Sequence, residues 1–118
     1  MRIWDLFYCG SDIVNESPED FLDVLTVNAP QESAIIDRRL DSLRDMPLQN
    51  WPPKWIERIS KNRYQLKAAD HRVYFGIYEK KLVVFYICRK VANKAKRIDL
   101  IRAGLNQEAY EKWAEGDR

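Results

Sequence analysis

Histidine occurs once, at position 71, and cysteine twice, at positions 9 and 88, in a chain of 118 residues. A single imidazole leaves no partner for a two-histidine acid–base pair. Two isolated cysteines without CxxC spacing do not make a zinc site, and both are expected to be reduced thiols in or near the core, where free cysteine usually sits. Long apolar runs are missing as well. No stretch approaches the roughly 18 residues of a membrane span, and the short apolar run behind Arg2 has no A-x-A cleavage pattern. The chain is therefore read as cytoplasmic, without a secretory leader and without a membrane partner. No repeat or low-complexity tract is present, and neither a metal nor an organic cofactor is expected.

What is there is ordinary for a folded protein: 46% hydrophobic and 32% charged residues argue against global disorder. The length suits one core, so residues 1–118 are expected to form a single domain. A net charge of +2 hides a strong asymmetry. Residues 1–57 carry 5 Lys/Arg and 11 Asp/Glu, a balance of −6, whereas residues 58–118 carry 15 and 7, a balance of +8. Between Arg58 and Arg102 there are 13 cations against Asp70, Glu79 and Asp99 alone. Such a field attracts nucleic acid or an acidic protein, and by itself does not say which.

Residues 2–9, RIWDLFYC, alternate and are aromatic-rich, which predicts a first strand closed by Gly10. Ser17 followed by Pro18, Glu19 and Asp20 is a helix start: an N-cap, a proline at the first helical position and acids in the first turn. Phe21, Leu22, Leu25 and Val24 supply its apolar side. In residues 31–46, Ile36, Leu40 and Leu43 recur among charges and predict a second amphipathic helix. Pro47, Pro52 and Pro53 make a stiff loop, from which Trp51, Trp55 and Ile56 are expected to fold back on the sheet. Three strands follow, at 62–69, 71–78 and 81–89, then a basic loop and a last helix over about 96–114. The fold class is α+β, a small curved and mainly antiparallel sheet of one N-terminal strand plus a three-strand meander, with two N-terminal helices and one C-terminal helix and the helices against one face.

The hairpin HRVYFGIYEKKLVVFYICRK, residues 71–90, both opens and closes on cations. An antiparallel pairing brings Arg72 near Arg89 and Lys90, and like charges facing each other cost about 0.2–1 kcal/mol. Alternation puts Val73, Phe75 and Ile77 on one side of the middle strand and Arg72, Tyr74, Gly76 and Tyr78 on the other. A turn at Ala69-Asp70 sets Lys67 beside Arg72. Lys67, Arg72, Tyr74 and Arg89 or Lys90 are thus expected to share one concave patch, with Lys94, Lys96 and Arg97 at its rim. A solvated face with incidental cations is the plainer reading of the same charges. His71, at the strand entrance, either touches a ligand or is a turn residue.

The run from Arg63 to Leu105 resembles the C-terminal half of RelE/HigB-type toxins of type II toxin-antitoxin modules, in particular their phage-associated branch. The resemblance rests on Tyr64 to Lys67, Arg72 to Phe75, Val83 to Phe85, Arg89-Lys90, and Asp99 with Ala103, in order and at matching spacing over about the last 55 residues. It implies a metal-independent endoribonuclease that cuts mRNA on the ribosome and is neutralised by a cognate antitoxin protein. Cleavage needs the ribose 2′-OH deprotonated, charge on the phosphorane screened and the 5′-oxygen protonated. Crowded cations can supply this, since positive neighbours favour the neutral, basic form of a lysine while arginine stays a fixed clamp. Lys67 is then the candidate base, Arg72 and Arg89 the phosphate clamps, and Lys90 or Tyr74 the acid, with Arg63, Lys94, Lys96 and Arg97 on the RNA. An antitoxin segment is expected across residues 63–97, anchored on Tyr74, Tyr78 and Tyr86.

Three positions depart from the family pattern. Gln65 stands where a second basic residue is common, Ala95-Lys96 replaces a Thr-Pro, and no Tyr or His begins the last helix. The same fold serves ParE-like toxins, which inhibit DNA gyrase by binding alone, and a phage-derived protein without toxicity is a further alternative. No residue pattern sets an oligomeric state.

Overall fold

The structure, a computed structural model, describes residues 2–90 and 93–116, the side chains of 93–96 excepted. Along the chain come β1 (Asp5–Tyr8), α1 (Pro18–Asn28), α2 (Pro30–Arg44), a 3-10 turn at Leu48–Asn50, β2 (Ile56–Ser60), β3 (Arg63–Ala68), β4 (His71–Tyr78), β5 (Lys81–Arg89) and α3 (Asn93–Gly116). The class is α+β. One sheet runs β1-β5-β4-β3-β2, antiparallel throughout except that β1 lies parallel to β5.

The helix starts follow the local chemistry. Ser17 Oγ accepts the Asp20 N–H at 3.0 Å, and Pro18 sits in the first turn of α1. Ala29, at φ −148 and ψ 70, ends α1 and begins α2, whose Pro30 has no N–H to satisfy. β1 is shorter than the alternation of residues 2–9 suggests. Its first partner pair is Asp5 with Lys81, so β5 offers no edge to residues 2–4, and the Ile3 and Trp4 N–H groups donate to Arg44 O at the end of α2 instead.

The meander has four strands where three were expected. β2 pairs Ile56 with Leu66 and Arg58 with Tyr64, then shifts register before Ser60. That shift leaves Ile56 and Ile59 three residues apart, which hides a strand whose signal is a period of two. The preceding Trp51 folds back as expected and is buried in the core, with Trp55 and Ile56 packed against it.

The expectation that the helices share one face is corrected. One face buries Leu66, Val73, Phe75, Leu82, Val84 and Ile87 under α2, on Ile36, Leu40 and Leu43. The other buries Tyr74, Val83, Phe85, Tyr86 and Cys88 under α3, on Ala103 and Tyr110. A bulge aims this second set: Tyr74 pairs with Tyr86 and Phe75 with Val84, so Phe85 is the extra residue and Phe85 and Tyr86 join the same core. Position 76, paired with Val83, takes a glycine because a Cβ there would sit 2.8 Å from Asn62 O and 3.0 Å from Phe85 Cζ.

Candidate functional site

The cations that open and close the β4–β5 hairpin do not face each other. His71 lies opposite Arg89 and Arg72 opposite Cys88, so alternation sends Arg72 and Arg89 to opposite faces of the sheet end. The single shared patch is corrected accordingly. The cation directly opposite Arg72 is Lys67, on the α3 face. Strand β3 is held firmly there: the Lys67 N–H donates to Trp55 O at 2.7 Å, and the Lys67 carbonyl accepts from the Arg39 guanidinium. Arg72 Nη1 donates to the carbonyls of Ala69 and His71, at 3.0 and 2.8 Å. Among the described residues neither Lys67 nor Arg72 has a carboxylate within 4.0 Å. Arg89 lies 4.0 Å from Asp70 with both side chains exposed, a geometry worth little in water. Lys90 joins this end because its N–H donates to Asp70 O at 2.7 Å, tying the end of β5 to the β3–β4 turn.

The tyrosines expected to open onto the patch are turned into the α3 core. Tyr74 is 1% exposed and donates its hydroxyl to Gln65 Oε1 at 2.9 Å. Burial pushes its phenol well above the ordinary range, and the fields of Cys88 and Asp99 add to this. Tyr74 therefore does not reach a substrate as acid with α3 in place. Gln65 is the partner that makes Tyr74 buriable. Tyr86 donates to Asp99 Oδ1 at 3.2 Å and burial pushes its phenol up to about 12. Tyr78 donates to Glu111 Oε2 at 2.6 Å and accepts from Gln107 Nε2 at 3.0 Å. None of the three is an open anchor for a partner.

Arg63 stands at the other end of β3 from Lys67, about 13 Å along the strand. Its Nε donates to Gln107 Oε1 at 2.8 Å beneath Gly104 of α3, so it belongs to the helix contact and not to the patch. Arg97 is exposed near the start of α3. The side chains of Lys94 and Lys96 lie outside the described residues. His71 is buried and edge-on to Phe21, with Nδ1 3.7 Å from Glu32 Oε1; burial lowers its pKa and the Glu32 charge partly opposes this. It is the first residue of β4 and not a turn residue, and it lines a cavity beside α1.

Both cysteines are free and buried. Burial pushes the Cys9 thiol up to about 12 and the Cys88 thiol higher still, with Asp99 adding to the latter, so neither is a ready thiolate. Among the described residues no three His, Cys, Asp or Glu side chains converge as a metal site would require, and no helix is long and apolar enough to cross a membrane. What the geometry offers chemically is a rigidly mounted Lys–Arg pair at a sheet end, suited to an anion. Sequence reasoning missed Asp99 as a structural acceptor, although its place four residues before Ala103 puts both on one helix face. No family model matches the chain and no curated protein matches it.

Proposed function

We propose that this protein is a RelE/HigB-type toxin, an endoribonuclease that cuts mRNA on the ribosome and is neutralised by a cognate antitoxin protein. The observation that carries the reading is the direct register of Lys67 with Arg72, two like charges opposite each other on a sheet with no carboxylate within 4.0 Å among the described residues. Such a pair costs about 0.2–1 kcal/mol, and a phosphate between the two side chains would repay it. Lys67 then serves as base toward the 2′-OH and Arg72 holds the phosphorane charge. Arg89, on the opposite face, acts at the rim on a neighbouring phosphate. Lys90, exposed beside the β3–β4 turn, is the acid in preference to the buried Tyr74.

The test is induced expression followed by mapping of mRNA ends, for the wild type and for Arg72→Ala. Abundant new internal ends within translated messages are expected for the wild type and none for the variant, whose thermal stability should be equal or slightly higher because a repulsion has gone. Intact messages with DNA damage and growth arrest would instead mark a gyrase inhibitor, and a harmless wild type would end the toxin reading.

A further inference from the structure

α3 buries one side and bares the other. Asp99, Ala103, Asn106, Gln107 and Tyr110 are buried. Ile101 stands two residues, about 200° of helical turn, from both Asp99 and Ala103. Leu105 stands in the same relation to Ala103 and Gln107, so both side chains point away from the sheet. Ile98, Ile101 and Leu105 recur at spacings of three and four and so form one stripe; they are 52%, 56% and 59% exposed. Arg97, at its start, is exposed too, and the exposed Glu108 and Lys112 continue the row and end its apolar part. Among the described residues α1 offers only the pair Val24 and Val27, and Trp113, further along α3, is stacked on Phe7 with ring centroids 6.2 Å apart.

We infer that this stripe is the contact between two copies of the chain, whose α3 helices pack antiparallel about a two-fold axis between Ile101 and Leu105. An apolar row on a helix that already buries its other side is covered by a second helix. The charges select the occupant and its direction. With a cation at one end, Arg97, and an acid at the other, Glu108, the row is complementary to itself when reversed. Neither of the two has an ion pair within 4.0 Å among the described residues. In the antiparallel pair Ile101 lies against Leu105 of the second copy, while Arg97 and Ile98 lie beside Glu108 of the second copy, each contact occurring twice. A parallel pair would set Arg97 on Arg97 and Glu108 on Glu108, and like charges repel. Arg102, which comes nearest its own copy at the axis, is offset by Glu16 at 3.3 Å. Three apolar residues from each copy make a small interface, so the dimer is weak and concentration-dependent. This inference does not depend on the RNA reading, since the stripe is apolar whatever Lys67 and Arg72 bind.

The experiment is sedimentation equilibrium of the full chain from micromolar to millimolar concentration. The wild type should pass from 14.0 kDa to twice that mass as concentration rises. Leu105→Lys, at an exposed position and with its fold checked by circular dichroism, should weaken association about a hundredfold, because the change enters the contact twice. Arg97→Glu and Glu108→Arg should each weaken it about tenfold, and the double variant should regain the wild-type association, since the swapped charges again meet their opposites. A wild type that stays monomeric at millimolar concentration, with the stripe covered only by an antitoxin or another foreign protein, would overturn the inference. So would a dimer indifferent to Leu105→Lys, or charge variants that do not rescue each other.

Discussion

Toward α2 the sheet presents Leu66, Val73, Phe75 and Leu82 to Ile36, Leu40 and Leu43, whereas toward α3 it presents Gln65, Tyr74, Tyr86 and Cys88 to Asp99, Ala103, Asn106 and Tyr110. The first contact is aliphatic and aromatic packing, non-directional and scaled by area. The second adds donors and acceptors that must find each other: Tyr74 with Gln65, Tyr86 with Asp99, Asn106 with Phe85 O. Directional bonds place α3 narrowly, and each one is costly to leave half made. The difference teaches why the sheet end beside α3 can hold an unneutralised Lys67–Arg72 pair. The expected division is that the α2 face supplies more of the stability and the α3 face more of the positioning.

Neighbouring residues on opposite faces sharpen this contrast. Phe75→Ala, in the α2-side core and fully buried, should cost about 3–5 kcal/mol, read as a large fall in the denaturation midpoint with an unchanged slope. Tyr74→Phe removes one hydroxyl and leaves Gln65 Oε1 without its donor, so about 1–3 kcal/mol is expected, with the fold intact by circular dichroism. If Tyr74→Phe costs as much as Phe75→Ala, the division of labour between the faces is wrong.

The smallest effect concerns His71, a buried ionisable group packed edge-on to Phe21 of α1. Its folded pKa is depressed, mainly by burial, so its contribution to stability is complete above the unfolded value of about 6.5. It is lost as pH falls below that value toward and through the folded one, because the unfolded chain binds the proton first. Denaturation between pH 7.5 and 5 should therefore show a loss of stability that is smaller in His71→Gln. Glu32 draws the proton in the opposite sense, so Glu32→Gln should steepen the loss. An identical pH dependence in wild type and both variants would remove His71 from the account.

Much of the fold was readable because its signals are local. Ser17-Pro18 starts α1 as its chemistry requires, and the alternation of Val73, Phe75 and Ile77 against Tyr74 and Gly76 gives the faces of β4 correctly. Two features resisted. β2 carries a register shift that breaks its period, and residues 2–4 alternate like a strand but have no β5 edge to pair with. The candidate site was legible only in its Lys67–Arg72 part, which a tight turn between adjacent strands fixes. Arg63 and the tyrosines were misplaced because their surroundings are set by α3, whose distance in the chain no pattern in β3 or β5 encodes.

Composition and spacing on their own determined an α+β chain with a basic second half, a capped first helix, a hairpin with defined faces, and two lone thiols. Each of these depends on bonds within a few residues or on a periodicity that the backbone imposes. Tertiary structure alone decided that α3 crosses the second face of the sheet, that Tyr74 and Tyr86 are sealed under it, and that β1 pairs with β5 only as far as Val84. Those outcomes come from a bulge that turns Phe85 and Tyr86 to one side, and from Asn106 bonding across 91 residues to Asn15 O. Contacts of that separation are selected by the packing of the whole domain, so no local window of the chain contains them.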